Sequence, residues 1–230
     1  MKLQAFASWT HKWLALIVGV QVLFWVGSGL FFSLFPIERV RSEHRIAEVH
    51  AAPLSEPVRD VSALLPEAPT RVTYERDVLG DAVAVAEFPE RRPILIDLND
   101  WRVVSPLSAE AAAQIAQAYT SGSPRVRERR LVTEETPEYR GPLPAWRIAF
   151  DDGEGLAVYV AADTARVTAR RSDLWRVYDA LWALHIMDWR DHENFNSGLL
   201  ILTSFTALIV VLAGFILFPY RMGWVRRRAA

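Results

Sequence analysis

Histidine and acidic side chains are the first groups in this sequence that could bind a ligand or carry out chemistry. The chain has five histidines: His11, His44, His50, His185 and His192. Asp151, Asp152 and Glu154 form an acidic cluster, which lacks the ligand spacing of a calcium loop. Asp-Asp-Gly is ordinary hairpin chemistry, so the cluster predicts a turn rather than a cation site.

Four arginines form the other concentration of charge: Arg125, Arg127, Arg129 and Arg130. They lie along one predicted strand, so most of them should face solvent, with an anion or partner site as the less favoured alternative. The sequence has no Ser-His-Asp arrangement, phosphate-cradling glycine loop or HExxH motif. Because it also has no cysteine, thiol nucleophiles, thiolate zinc sites, iron–sulfur clusters and covalent c-type haem are excluded. We therefore predict no catalytic residues and no metal site.

Two uncharged apolar segments near the ends predict transmembrane helices over residues 13–35 and 197–218. At about 1.5 Å per residue, each can cross a hydrocarbon core of about 30 Å. The first is too long for the apolar region of a signal peptide and no small-x-small cleavage site follows it, so we expect it to be retained. The sequence therefore predicts a membrane protein.

Basic residues outside the two spans predict the orientation. Lys2 and Lys12 precede the first span, and four arginines follow the second: Arg221, Arg226, Arg227 and Arg228. Residues 1–12 and the tail 219–230 should therefore be cytoplasmic, with the central domain on the other side of the membrane. All 27 acidic residues lie between Glu38 and Glu193 with 20 of the 26 Lys and Arg, a local net charge near −7. This pattern suits a soluble domain between basic flanks and gives no indication of nucleic-acid binding.

Small residues in the spans predict close helix contacts. Gly19 and Gly27 on the first span, and Ala207 and Gly214 on the second, leave room for two helices to approach. We expect the two spans to pair with each other, with contact to a partner protein or a second copy as the alternative.

The central region predicts two units of α+β type, residues 36–104 and 105–171, each with antiparallel strands. In the first, a helix over residues 38–49 and a proline-punctuated stretch precede strands over residues 71–76, 82–88 and 93–98. In the second, Ser108 caps a helix that reaches Tyr119, and strands follow over residues 126–132, 145–150 and 156–160. Residues 172–196 place Leu174, Tyr178, His185 and other apolar residues at helical spacing, which predicts an amphipathic interfacial helix.

The two units also align with each other, since RRPILIDLNDWRVVS matches the pattern of GLAVYVAADTARVTA. The second unit resembles the PepSY domain through LSAEAAAQIAQAY followed by LPAWRIAFDDGEGLAVYVAADTARV. The departure is Thr164-Ala165-Arg166, where that family usually has Thr-Gly. The segments HKWLALIVGVQVLFWVGSGL and LWALHIMDW are similar to membrane segments of PepSY-associated transmembrane proteins, of which this chain would be a reduced form with two spans.

The resemblance implies two functions. One is a membrane-anchored accessory protein of the bacterial inner membrane that binds a protein partner through sheet edges or spans, without a cofactor. The other is a b-type haem protein that transfers electrons in ferric-siderophore reduction and iron uptake. His11 and His185 match family positions but should lie at opposite ends of a span. A haem would therefore need His44 or His50 with His185 or His192, or equivalent histidines from two chains. We favour the accessory function.

Overall fold

The computed structural model describes residues 2–48, 53–54 and 60–224. The chain divides into two compact units. One contains residues up to Pro36 and residues from Val177 onward, and the other is Ile37–Arg176. Two long apolar helices at the ends of the sequence thus flank a central domain.

The long helices are α1, Lys2–Leu34, and α5, Gly198–Arg221. Both are long and apolar enough to cross a membrane, by length and composition. Helix α1 begins well before the predicted span, because no proline or glycine interrupts residues 2–12. It ends just before Pro36, and α5 begins after Ser197, whose Oγ accepts a hydrogen bond from the amide of Leu200.

Helix α4, Asp173–Ile186, continues from the central domain into the unit of the long helices. The predicted helix over residues 172–196 is helical only to Ile186. Met187 then adopts a left-handed conformation, with φ of 55°. The Asp188 carboxylate accepts backbone hydrogen bonds from four following residues, Arg190, Asp191, Glu193 and Asn194. These bonds stabilise a turn where further helix was expected.

The first sheet of the central domain has four antiparallel strands in the order β1-β2-β3-β4. They are β1, Arg71–Arg76; β2, Ala82–Glu87; β3, Ile94–Asp97; and β4, Arg102–Val103. The first three confirm the predicted strands to within a residue at each end. Strand β4 was not predicted, since two residues carry no alternation that a sequence pattern could reveal.

The second sheet has the same antiparallel order, β5-β6-β7-β8, and follows α3, Ala109–Tyr119. Its strands are β5, Arg125–Val132; β6, Ala145–Asp151; β7, Ala157–Ala161; and β8, Val167–Arg171. The predicted helix, its Ser108 cap and three of the strands are confirmed. The apolar face of α3 packs into a core that takes buried residues from both sheets, among them Val85, Leu95, Ile115, Ile148 and Val158.

The predicted helix over residues 38–49 is wrong in its described part. Helix α2 covers only Ile37–Val40, and Ser42 then adopts a left-handed conformation with φ of 56°. A 3-10 turn follows at Glu43–Arg45, and Ile46 pairs with Thr120 at the end of α3. The left-handed residue and this tertiary pairing outweigh the helical composition of the segment.

The alignment between the two predicted units reappears in the backbone. Trp101, in the turn between β3 and β4, has φ of 54°, and the aligned Ala165, between β7 and β8, has φ of 58°. Ala165 stands where the resembled family usually has glycine, so the turn keeps a left-handed conformation without one. The segments before the sheets differ, because a 3-10 turn at Ser62–Leu64 precedes the first and α3 precedes the second.

Candidate functional site

His11 lies on α1 against α5. Its Nδ1 is 2.9 Å from the carbonyl oxygen of Val210. Because a carbonyl only accepts hydrogen bonds, Nδ1–H is the donor in this contact. A Cβ added at Gly214 would lie 3.3 Å from Cε1 of the His11 ring. Gly214 therefore leaves space for this imidazole.

His185 lies in the last turn of α4, in an aromatic setting. Its ring is parallel to Trp182 and lies 5.6 Å from the ring of Phe32, centroid to centroid. Ser28 Oγ donates to the carbonyl of Phe24 and lies 2.7 Å from His185 Nδ1, so Nδ1–H donates to Ser28. Burial lowers the pKa of His185, which favours the neutral ring.

Polar side chains of α1 hold the end of α4 in place. Gln21 Nε2 donates to the carbonyl of Leu184 at 2.9 Å, and Trp25 Nε1 donates to that of His185 at 2.7 Å. The last carbonyls of a helix lack partners within the helix, so these bonds satisfy groups that would otherwise be unpaired. Gln21 and His185 thus act in helix packing.

His11 and His185 lie too far apart to bind one haem iron within a chain. Ser28, the partner of His185, lies seventeen residues after His11 on α1, about 26 Å along the helix axis. His44 belongs to the other compact unit, where its Nε2 lies 3.7 Å from Glu154. His192 Nδ1 lies 2.6 Å from Asp179 Oδ2. His50 is outside the described residues. Of the pairs considered, the structure separates His11 from His185, and a haem bound by the other histidines or by two chains stays a prediction.

Two of the predicted helix-packing residues need correction. A Cβ added at Gly19 or Gly27 would meet no atom within 4 Å, so neither lies where α1 contacts α5. That face of α1 instead carries the buried Ala7, Thr10 and Val18, whose spacings of three and eight residues return to nearly the same side of the helix. Ala207 is half-buried on α5, and Gly214 lies beside His11.

An apolar groove in the central domain was not predicted. It has a volume of about 500 Å³ and lies where β5 ends and β6 begins. Leu107, Leu131, Leu143 and Trp146 line it together with Arg92. The Trp146 indole is fixed because its Nε1 donates to the carbonyl of Leu107 at 2.8 Å. We call this feature the Trp146 groove.

Strand β5 forms one edge of the second sheet and borders the groove. Leu131 pairs with Trp146 across β5 and β6, so both side chains lie on the same face of the sheet. The predicted exposure of the arginines is confirmed, since Arg125, Arg127, Arg129 and Arg130 are all exposed. The edge therefore combines a row of positive charge with an exposed leucine.

A tightly bonded polar cluster lies on the opposite face of the second sheet. Glu138 accepts hydrogen bonds from Arg176 Nε at 2.6 Å and from the Tyr159 hydroxyl at 2.9 Å. The Tyr159 ring stacks on Tyr139 with centroids 4.5 Å apart. Burial, followed by the neighbouring Glu138 charge, raises the pKa of Tyr159 to about 12. This phenol stays protonated and serves as a structural donor.

Sequence patterns could not have assembled the Trp146 groove, because its lining comes from segments far apart in the chain. Only two local features of the sequence pointed to the groove. They are Trp146, in a strand that otherwise resembles a core strand, and Leu131, at the end of an arginine-rich strand. The described part of the chain contains no group of three or more His, Cys, Asp or Glu residues that could hold a metal ion.

No family model, curated protein or solved structure matches this chain. The resemblance to PepSY proteins therefore stays a prediction.

Proposed function

We propose that this chain is a membrane-anchored accessory protein of the PepSY type, whose central domain binds a protein partner as part of a larger membrane complex. The observation that carries the proposal is the open edge of β5, with the Trp146 groove beside it. An unpaired strand edge next to an apolar groove is a common surface for recognition of another chain.

The exposed apolar side chains of α1 and α5 support the membrane location. Leu16, Ile17 and Leu23 on α1, and Leu202 and Phe215 on α5, are each more than half exposed. Such surfaces are unfavourable in water and favourable in lipid. With the basic flanks, they favour an inner-membrane protein with cytoplasmic termini and a periplasmic domain.

Photo-crosslinking in living cells tests the partner contact. A photoreactive amino acid at Leu131 should give protein adducts, because this side chain borders the groove. Leu79 is a matched control, since both leucines are 44% exposed and Leu79 lies in the turn between β1 and β2. Absence of adducts at Leu131, or equal adducts at both positions, would contradict the proposed partner surface.

A further inference from the structure

Strand β5 lies at the edge of its sheet, and its pairing with β6 shifts register between Val126 and Glu128. It contains eight residues and is the outer strand of its sheet, with β6 as its neighbour. Among the described residues, no other strand pairs with its second side. An added strand would satisfy the backbone N–H and C=O groups on that side, which otherwise remain available for pairing with another chain.

The charge of β5 contrasts with that of the region around it. Four arginines and one glutamate give the strand a net charge of +3, whereas the region between Glu38 and Glu193 is acidic overall. Glu128 already pairs with Arg147, whose Nη1 lies 3.3 Å from its carboxylate. Within the described residues, none of the four arginines forms an ion pair with an acidic side chain. The strand is therefore complementary to an acidic segment.

The register of the sheet determines which side chains an added strand would place on each face. Leu131 pairs with Trp146, so a residue opposite Leu131 would point toward the Trp146 groove. Arg130 lies on the other face, so the next residue of the added strand would lie beside Arg130. The surface thus fits an apolar residue adjacent to acidic ones.

We infer that the β5 edge binds an acidic, extended segment of the partner protein as a fifth strand. One apolar side chain of that segment enters the Trp146 groove, and the carboxylate of the neighbouring residue faces Arg130 on the other face of the sheet. This inference rests on the proposed function, because it specifies the chemistry of the partner at the same surface. Main-chain pairing supplies the geometry, and the arginines select for negative charge.

Peptide binding to the full-length protein in nanodiscs of neutral lipid tests the charge selection. A fluorescent ten-residue peptide that alternates Glu with Val or Leu should bind, and its Lys-for-Glu counterpart should bind at least about tenfold more weakly. The double variant Arg129→Glu, Arg130→Glu should weaken binding of the acidic peptide by about tenfold or more. Arg71→Glu, an exposed arginine on β1, should leave binding unchanged. Equal binding of both peptides would overturn the inference.

Backbone methylation tests the strand pairing itself. Successive residues of a strand point their N–H groups to opposite sides, so methylation at alternate positions blocks one side only. One of two complementary methylated acidic peptides should lose binding, and the other should retain it. If both bind like the parent peptide, the contact is only ionic and the fifth-strand inference is wrong. Binding of anionic vesicles that the arginine variant abolishes, with no peptide binding, would assign the surface to lipid and also overturn it.

The two hypotheses fail separately. Adducts at Leu131 in cells without acidic-peptide binding would retain the partner surface and reject the acidic strand. No adducts at Leu131 would reject the proposed function, whatever the peptides do.

Discussion

Gly141 illustrates how one residue can control the packing of the central domain. A Cβ at this position would lie 2.7 Å from the Tyr139 ring, which is almost completely buried and stacked on Tyr159. We expect Gly141→Ala to lower the free energy of unfolding by about 1–3 kcal/mol, because a well-packed core has no space for the methyl group. Denaturant titration of the full chain in detergent measures this. Gly198→Ala, which meets open space, is the control and should not be destabilising.

Glu138 should make stability depend on pH. Burial acts to raise its pKa, but the hydrogen bonds from Arg176 and Tyr159 outweigh burial, so the pKa of Glu138 is lowered in the folded protein. Its contribution to stability is therefore complete above the unfolded-state pKa, near 4.5, and is lost as the pH falls through the lower folded-state pKa.

We expect Glu138→Gln to be less stable than wild type at pH 7 by about 1–3 kcal/mol, because charge-assisted hydrogen bonds are weakened. The difference should shrink as the pH is lowered toward 3. Unfolding midpoints measured between pH 7 and 3 for both proteins provide the test. A difference that stays constant over this range would show that the carboxylate charge is not responsible.

At the scale of helices, the contact between α1 and α5 depends on the space beside His11. We expect Gly214→Leu to displace the His11 ring and break its hydrogen bond to Val210, because even a Cβ would approach the ring to 3.3 Å. The free energy of unfolding should fall by about 1–3 kcal/mol, as measured by SDS-induced unfolding. Gly19→Leu introduces the same side chain into open space and should have little effect on this contact. Equal effects of the two substitutions would contradict the described packing.

The sequence predicted those elements whose structure is determined by their own residues. It missed elements whose structure depends on contacts with distant parts of the chain. Helix α3 has a capping serine and an apolar face within its own residues, so its existence could be predicted. Strand β8 alternates only Val167 and Ala169 with polar residues, which is too short a pattern to predict a strand. Its pairing with β7 holds it in the sheet. The end of α2 depends on Ser42 and on pairing with Thr120, far away in the sequence.

For the whole molecule, the proposed topology places the central domain and the two termini on opposite sides of a membrane. Since the chain contains no cysteine, Glu90→Cys and Ala230→Cys each introduce a unique thiol. In spheroplasts, a membrane-impermeant maleimide should label the variant at position 90 directly and the variant at position 230 only after lysis. Labelling of both variants before lysis, or of neither, would contradict this topology.

The candidate site shows what sequence patterns miss at this scale. The arginine row was visible because its four members lie within six residues of one strand. The Trp146 groove could not be recognised in the sequence. Its lining residues come together only when the central domain has folded, since Arg92 is distant in sequence from Leu131 and Trp146. Haem binding would require two histidines at the same depth in the membrane, which a sequence pattern does not give. In the structure, the hydrogen bonds of His11 and His185 show that both take part in helix packing.

The left-handed residues at Trp101 and Ala165 have a consequence for the order of folding. The turn from β1 to β2 contains Gly80 and the turn from β6 to β7 contains Gly153, both with positive φ, so these hairpins can nucleate locally. Trp101 and Ala165 disfavour that conformation in an unfolded chain, so their turns gain it only when the neighbouring strands hold them. We expect β4 and β8 to join their sheets after the rate-limiting step of folding. Mutations in these strands should then change the unfolding rate and leave the folding rate nearly unchanged, whereas mutations in β2 and β6, which belong to the folding nuclei, should slow folding.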